Sequence, residues 1–260
     1  MSGALIDVNV NLSRWPFRRL PLDETPALVF KLRNVGVSQA WAGSFDGVLH
    51  KDVAAVNARL AEECRRQGDG LLLPFGTVNP MLPDWEEDLR RCHEQFKMPG
   101  IRLHPNYHGY KLDDPDFARL IVQADDRGLI VQIAVDMEDQ RTLHPRVIVP
   151  PVDTAPLLDR LKMVPKLRVV LLNAFRTIRG EPLKRLASAG RVYFEIATLE
   201  GVGGVAGLIN QLPLDRILFG SNSPMFYFES AALKLQESPL TDAQLLAIRS
   251  ENAQHLLSGS

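Results

Sequence analysis

Short apolar runs alternate with amphipathic stretches from one end of the chain to the other. The runs predict strands at Ala4–Asn9, Val37–Ala42, Leu71–Val78, Gly100–His104, Leu129–Ala134, Leu167–Leu172, Val192–Ala197 and Ile217–Gly220. Several are apolar almost without interruption, as parallel strands covered on both faces must be. Between them, apolar residues spaced three and four apart predict helices over Glu24–Val35, Lys51–Arg66, Asp84–Phe96, Pro115–Arg127, Asp153–Val164, Pro182–Ala189 and Val202–Gln211. Asp126-Arg127-Gly128 and Ala189-Gly190 read as helix stops. The glycine-rich stretch from Gly201 to Gly207 reads as a helix start rather than a phosphate cradle. Thr241–Leu257 predicts a closing amphipathic helix, capped by Thr241 or Asp242.

Eight strands with helices between them imply an α/β protein, a single-domain TIM (β/α)8 barrel spanning residues 1–260. An open doubly wound sheet is the alternative, but no Gly-x-Gly-x-x-Gly follows the first strand. A chain of this length buries roughly 70–75% of its unfolded surface, so no metal or disulfide is needed to hold it together. Cys64 and Cys92 sit in charged, helix-like segments and read as free thiols. The formal net charge is -1 and no basic stripe is visible, which argues against a nucleic-acid partner. No apolar run approaches the roughly 20 residues that span a bilayer, and residues 1–20 lack a signal-peptide core. A cytoplasmic protein with no membrane partner is expected.

Barrels of this kind carry their chemistry where strands end. The polar residues there are Asn9 and Asn11, Ser44, Asn79, Arg102 and His104, Gln132 and Asp136, then Asn173, Glu195 and Asn222. Period-two alternation puts Asp7, Asn9 and Asn11 on one side of their strand, and Arg102 with His104 on one side of theirs. One asparagine at a strand end usually bonds a turn. Several converging amides are costly unless satisfied, and an open polar cup is the cheaper arrangement.

Two segments resemble the amidohydrolase-related family of TIM barrels. Ile6-Asp7-Val8-Asn9-Val10-Asn11 stands where that family has Asp-x-His-x-His, and Leu218-Phe219-Gly220-Ser221-Asn222-Ser223-Pro224 where it has Leu-Phe-Gly-Ser/Thr-Asp-x-Pro. Gly100-Ile101-Arg102-Leu103-His104-Pro105 is similar to the family's Gly-Ile-Lys-Leu-His-Pro. Leu167–Phe175 resembles its sixth-strand stretch, and Asn252-Ala253-Gln254-His255-Leu256 its closing Asn-Ala-x-x-Leu. The resemblance implies a barrel whose histidines and final aspartate hold a divalent metal. Here those places carry Asn9, Asn11, Ala134, Asn173 and Asn222, so no metal or other cofactor is expected.

Three readings stay open on sequence alone. The first is a metal-independent hydrolase or carbon–carbon lyase acting on a small organic acid, with an amidohydrolase-type hydrolase favoured over a lyase should the chain be an enzyme. His104 and Asp136 would carry proton transfer, and Arg102 would hold the substrate's charge. Asn9, Asn11, Gln132, Asn173, Glu195 and Asn222 would orient the substrate, with Tyr107 and Trp15 as aromatic wall. The second is a non-catalytic barrel that binds a ligand or partner. The third is a remodelled metal site using His104 with Asp136 or Glu195. Arg102 as a buried structural partner of Asp7 or Glu195 is the plainer account of that residue. Aromatic loop residues also fit a homodimer contact.

Overall fold

A computed structural model describes residues 4–144 and 146–259. Among the described residues nine strands run in chain order: β1 (Ile6–Leu12), β2 (Gln39–Ser44), β3 (Leu72–Pro74), β4 (Gly76–Thr77), β5 (Gly100–Leu103), β6 (Ile130–Ala134), β7 (Arg168–Leu172), β8 (Arg191–Glu195) and β9 (Ile217–Leu218). β3 and β4 are the halves of one stave interrupted at Phe75, so the barrel has eight. Every neighbouring pair is parallel. Phe75 N–H donates to the Ala42 carbonyl, carrying the ladder across the break. Val8 N–H to the Phe219 carbonyl and Asn11 N–H to the Ser223 carbonyl join first stave to last. The sheet closes into the TIM barrel that the strand count implied.

The main apolar cluster lies between staves and helices, exemplified by Val10, Leu32, Leu89, Ile101, Leu120, Val169 and Phe219. A second gathers Ile6, Val8, Trp41, Phe75, Val170 and Leu218 against Ala253 and Leu256 of the closing helix. The third covers the opposite end of the barrel and belongs to the site described below.

The predicted helices are present with shifts at their ends, and Gly128 takes the left-handed conformation after its helix. Gly203 caps a short helix, Gly204–Ile209, as a helix start requires. The closing helix begins with Thr241, whose side chain accepts from Gln244 N–H, and contains a π turn at Ala247–Glu251. Cys64 and Cys92 are free and buried on helices. The helix Phe228–Gln236 escaped the sequence reading although its apolar residues at 228, 231, 232 and 235 follow helical spacing. Asp46–Leu49 and Pro105–His108 are single turns, too short for periodicity to reveal. Among the described residues no helix is long and apolar enough to cross a membrane.

Candidate functional site

β1 runs three residues further than its apolar pattern suggested, so Asn9 and Asn11 lie within the strand. Both are buried, with Asp7 below them on the same side. Asn173 and Asn222 follow β7 and β9 with φ of 56° each, a backbone conformation that asparagine tolerates better than most residues. Each therefore turns the chain while sending an amide inward. Asn9 Nδ2 donates to Asn173 Oδ1 at 3.1 Å and to Glu195 Oε1 at 3.2 Å. Glu195 also accepts from the N–H groups of Asn173 and Ala197. Asn11 Nδ2 donates to Asn222 Oδ1 at 3.1 Å. Asn173 Nδ2 reaches the Asp136 carbonyl at 2.8 Å. The amides converge, as their positions implied, but they satisfy one another instead of lining an open cup.

Arg102 crosses the barrel interior and is 1% exposed. Its Nε donates to Gln132 Oε1 at 2.8 Å, and Nη1 to Asn11 Oδ1 at 2.7 Å and the Val10 carbonyl at 2.8 Å. Nη2 serves the Trp41 carbonyl at 3.1 Å and, more weakly, that of Val8 at 3.5 Å. All five N–H groups of a guanidinium are thereby engaged with neutral acceptors. This is a structural role, with carbonyls and amides as partners in place of Asp7 or Glu195. Gln132 completes the set by donating to the Val8 carbonyl at 2.8 Å. Burial lowers the guanidinium to about 9, while Asp7 and Glu195 oppose the shift, so it is charged at neutral pH.

Asp7 accepts from the N–H groups of Asn9 and Ser221 and from the Ser221 hydroxyl. Burial nevertheless pushes its carboxyl up to about 7. Glu195 is raised for the same reason despite its three donors. No local pattern marks Ser221 as the anchor of Asp7.

His104 ends the β5 stave and is 1% exposed, yet among the described residues neither ring nitrogen has a hydrogen-bond partner. Burial, then the nearby His108 and Arg102, holds it well below the ordinary imidazole range, so it is neutral at pH 7. Asp136 is half-buried, its carboxylate accepts from Met137 N–H, and burial raises it. No hydrogen bond joins Asp136 to His104, so the two form no acid–base pair. Trp15 packs edge-on against Phe45 and Tyr107, with ring centroids 5.1 and 6.1 Å apart. With Ala134, Met137 and Met225 they make the apolar cluster at this end of the barrel. Phe45, Met137 and Met225 went unrecognised because no local motif sets apolar loop residues apart.

Two arginines stand on the rim. Arg18 pairs with Glu138 at 2.9 Å, and Arg176 pairs with Asp139 at 3.1 Å while lying over the Phe226 ring. Two strand-end candidates have local duties: Ser44 caps Asp46 N–H, and Asn79 accepts from Met81 N–H.

The amidohydrolase family profile matches residues 17–258. The chain belongs to the amidohydrolase family. Solved structures share the barrel at low identity. The 2,6-dihydroxybenzoate decarboxylase from Rhizobium aligns with a TM-score of 0.74 at 15% identity, covering 99% of each chain. The 5-carboxyvanillate decarboxylase from Sphingomonas paucimobilis gives 0.74 at 12%, again covering 99% of each. A dihydroxybenzoic acid decarboxylase from Polaromonas sp. JS666, with bound manganese and 2-nitroresorcinol, gives 0.76 at 13%, covering 99% of this chain and 97% of the other. At these identities the likeness establishes the fold alone. No curated protein sequence matches the chain.

The residues at the barrel mouth do not fit a divalent ion. Asn11 Oδ1 accepts from Arg102, and Asn222 Oδ1 accepts from Asn11. Ala134 offers no donor atom. Neutral amides are poor ligands beside imidazole, thiolate and carboxylate. Among the described residues, no three His, Cys, Asp or Glu side chains converge, so a remodelled site on His104 with Asp136 or Glu195 lacks a third ligand.

Proposed function

We propose that this amidohydrolase-family barrel is a metal-independent carbon–carbon lyase of the decarboxylase kind, acting on a small hydroxylated aromatic acid. The observation that carries the reading is His104: a neutral imidazole with two unpartnered nitrogens, at the barrel face where such folds hold their chemistry. Trp15, Phe45 and Tyr107 pack together as an aromatic wall, and Tyr107 N–H donates to the His104 carbonyl. Arg102 has no N–H left for a ligand, so the carboxylate falls to the rim arginines Arg18 and Arg176.

In this scheme His104, in its base form, takes the proton of a hydroxyl ortho to the carboxylate. It delivers that proton to the ring carbon bearing the carboxylate. The ring–carboxylate bond then breaks, its electron pair restores the aromatic ring and carbon dioxide leaves. The product departs as a phenolate and takes its proton from water. Removing a positioned acid–base group costs about 10²–10⁴ in rate.

The test is carbon dioxide release from 2,6-dihydroxybenzoate and 5-carboxyvanillate with a chelator present. Turnover that falls at least a hundredfold in His104→Gln supports the reading. A second reading, a non-catalytic barrel that binds such acids, is favoured because no carboxylate among the described residues bonds His104. Saturable binding of both acids without carbon dioxide release would select it.

A further inference from the structure

Among the described residues, five of the eight buried side-chain nitrogens and oxygens without a hydrogen-bond partner belong to four residues: Thr77 Oγ1, His104 Nδ1 and Nε2, His108 Nδ1, and the Tyr110 hydroxyl. They share one neighbourhood. The His104 and His108 rings lie 5.8 Å apart edge-on, and His108 and Tyr110 lie 6.4 Å apart. His108 Nε2 sits 2.9 Å from the Gly47 carbonyl, and a Cβ on Gly47 would collide with Thr77 Oγ1. Thr77, His104 and Tyr110 are each at most 2% exposed. Buried polar atoms without partners each cost about 1–3 kcal/mol, and one such group is a minor defect. Five together mark a place built for something else to bond.

We infer that Thr77, His104, His108 and Tyr110 form a subsite for an uncharged hydroxyl oxygen of the ligand. The inventory of donors and acceptors decides the ligand's chemistry. A carbonyl only accepts, so His108 Nε2 carries the proton toward Gly47 and Nδ1 is left as an acceptor. Neutral His104 offers one donor and one acceptor, and the Thr77 and Tyr110 hydroxyls serve either way. A carboxylate, which only accepts, would face the Nδ1 lone pair of His108. A cation would meet only neutral groups, with the Arg102 charge close by. A hydroxyl gives its proton to one nitrogen and accepts from the remaining donors. The inference takes the aromatic ring of its ligand from the proposed function and needs no turnover.

The experiment uses phenol as probe and toluene as its hydroxyl-free control, titrated into the full chain by calorimetry. A crystal structure of the phenol complex accompanies it. We expect phenol to bind at least tenfold more tightly than toluene, with its oxygen among the four side chains. Thr77→Val and Tyr110→Phe, each nearly unchanged in shape, should weaken phenol at least tenfold without changing toluene. Equal affinity for phenol and toluene overturns the inference. So does unaltered phenol binding in both variants, or a crystal in which ordered water alone occupies the subsite. Phenol has no carboxylate to lose, so its binding is independent of lyase activity. Phenol bound here with no carbon dioxide released from the hydroxybenzoates sinks the lyase reading and leaves the subsite standing.

Discussion

Asn11 Nδ2 donates to Asn222 Oδ1 at 3.1 Å, a bond between residues 211 positions apart that ties β1 to the turn after β9. The other face of the same amide accepts from Arg102 Nη1 at 2.7 Å. One side chain thus joins the closure of the barrel to the cation at its centre. Truncation strands both partners away from water.

Asn11→Ala should therefore cost about 2–4 kcal/mol, since each stranded buried partner costs about 1–3 kcal/mol. Asn79→Ala, which removes a half-buried turn contact, should cost under about 1 kcal/mol. Urea unfolding followed by circular dichroism gives both values, provided the slope with denaturant is unchanged. Equal losses would show that the central network carries no special share of stability.

Asp7 makes stability depend on pH in a definite direction. Burial raises its carboxyl from the ordinary 3.8 to about 7. Between those values the folded protein holds a proton that the unfolded chain has released. Stability from this group is complete below about 4 and is lost as pH rises toward 7. Asp7→Asn cannot ionise, so its stability relative to the natural protein should improve across that window, by up to about 4 kcal/mol at 1.36 kcal/mol per pKa unit. Glu195, also raised by burial, is present in both proteins, and its charge adds a smaller part to the rise of Asp7. Unfolding midpoints at pH 4.5 and 7.5 provide the check, and parallel curves would refute the assignment.

The barrel was legible because alternation of buried strands and amphipathic helices is a local property repeated along the whole chain. Asn9, Asn11, Asn173 and Asn222 were legible as a converging set for a related reason: strand ends and period-two faces put them there. Their pairing was not. Whether amides face water or one another depends on separations across the barrel, which no local pattern encodes. Arg102 shows the same limit, because its carbonyl partners on β1 and β2 become neighbours only when the sheet closes. His108 and Tyr110 follow β5 closely in the chain, but Thr77 comes from β4, and no local pattern ties it to them.

Gly43 is fixed by Arg102. A Cβ there would stand 2.7 Å from Nη1, 2.8 Å from Cδ and 2.9 Å from Cζ. The guanidinium cannot retreat without losing Val10, Asn11 and Trp41. Gly43→Ala should cost about 1–3 kcal/mol from overpacking alone. Gly207→Ala, in a helix with nothing within 4 Å of the added carbon, should instead stabilise by about 0.5–1 kcal/mol. Opposite shifts in thermal midpoint for these two variants are the expected outcome, and matching shifts would contradict it.

Thr77→Val and Tyr110→Phe test whether the unpartnered polar groups are held at a cost to the free protein. Among the described residues neither hydroxyl has a hydrogen-bond partner, and burial raises the Tyr110 phenol above its ordinary range. Replacing a buried, unsatisfied hydroxyl with an apolar group of similar shape is neutral or stabilising. Each variant should therefore unfold at equal or higher denaturant concentration than the natural protein, by up to about 1 kcal/mol. A hydroxyl with a hidden structural partner would give the opposite result, a loss of about 1 kcal/mol or more. Adding phenol should reverse the ranking, because a ligand that binds the folded state stabilises it in proportion to its affinity. The natural protein would then gain more than either variant, and the crossing of the two sets of midpoints is the signature to measure.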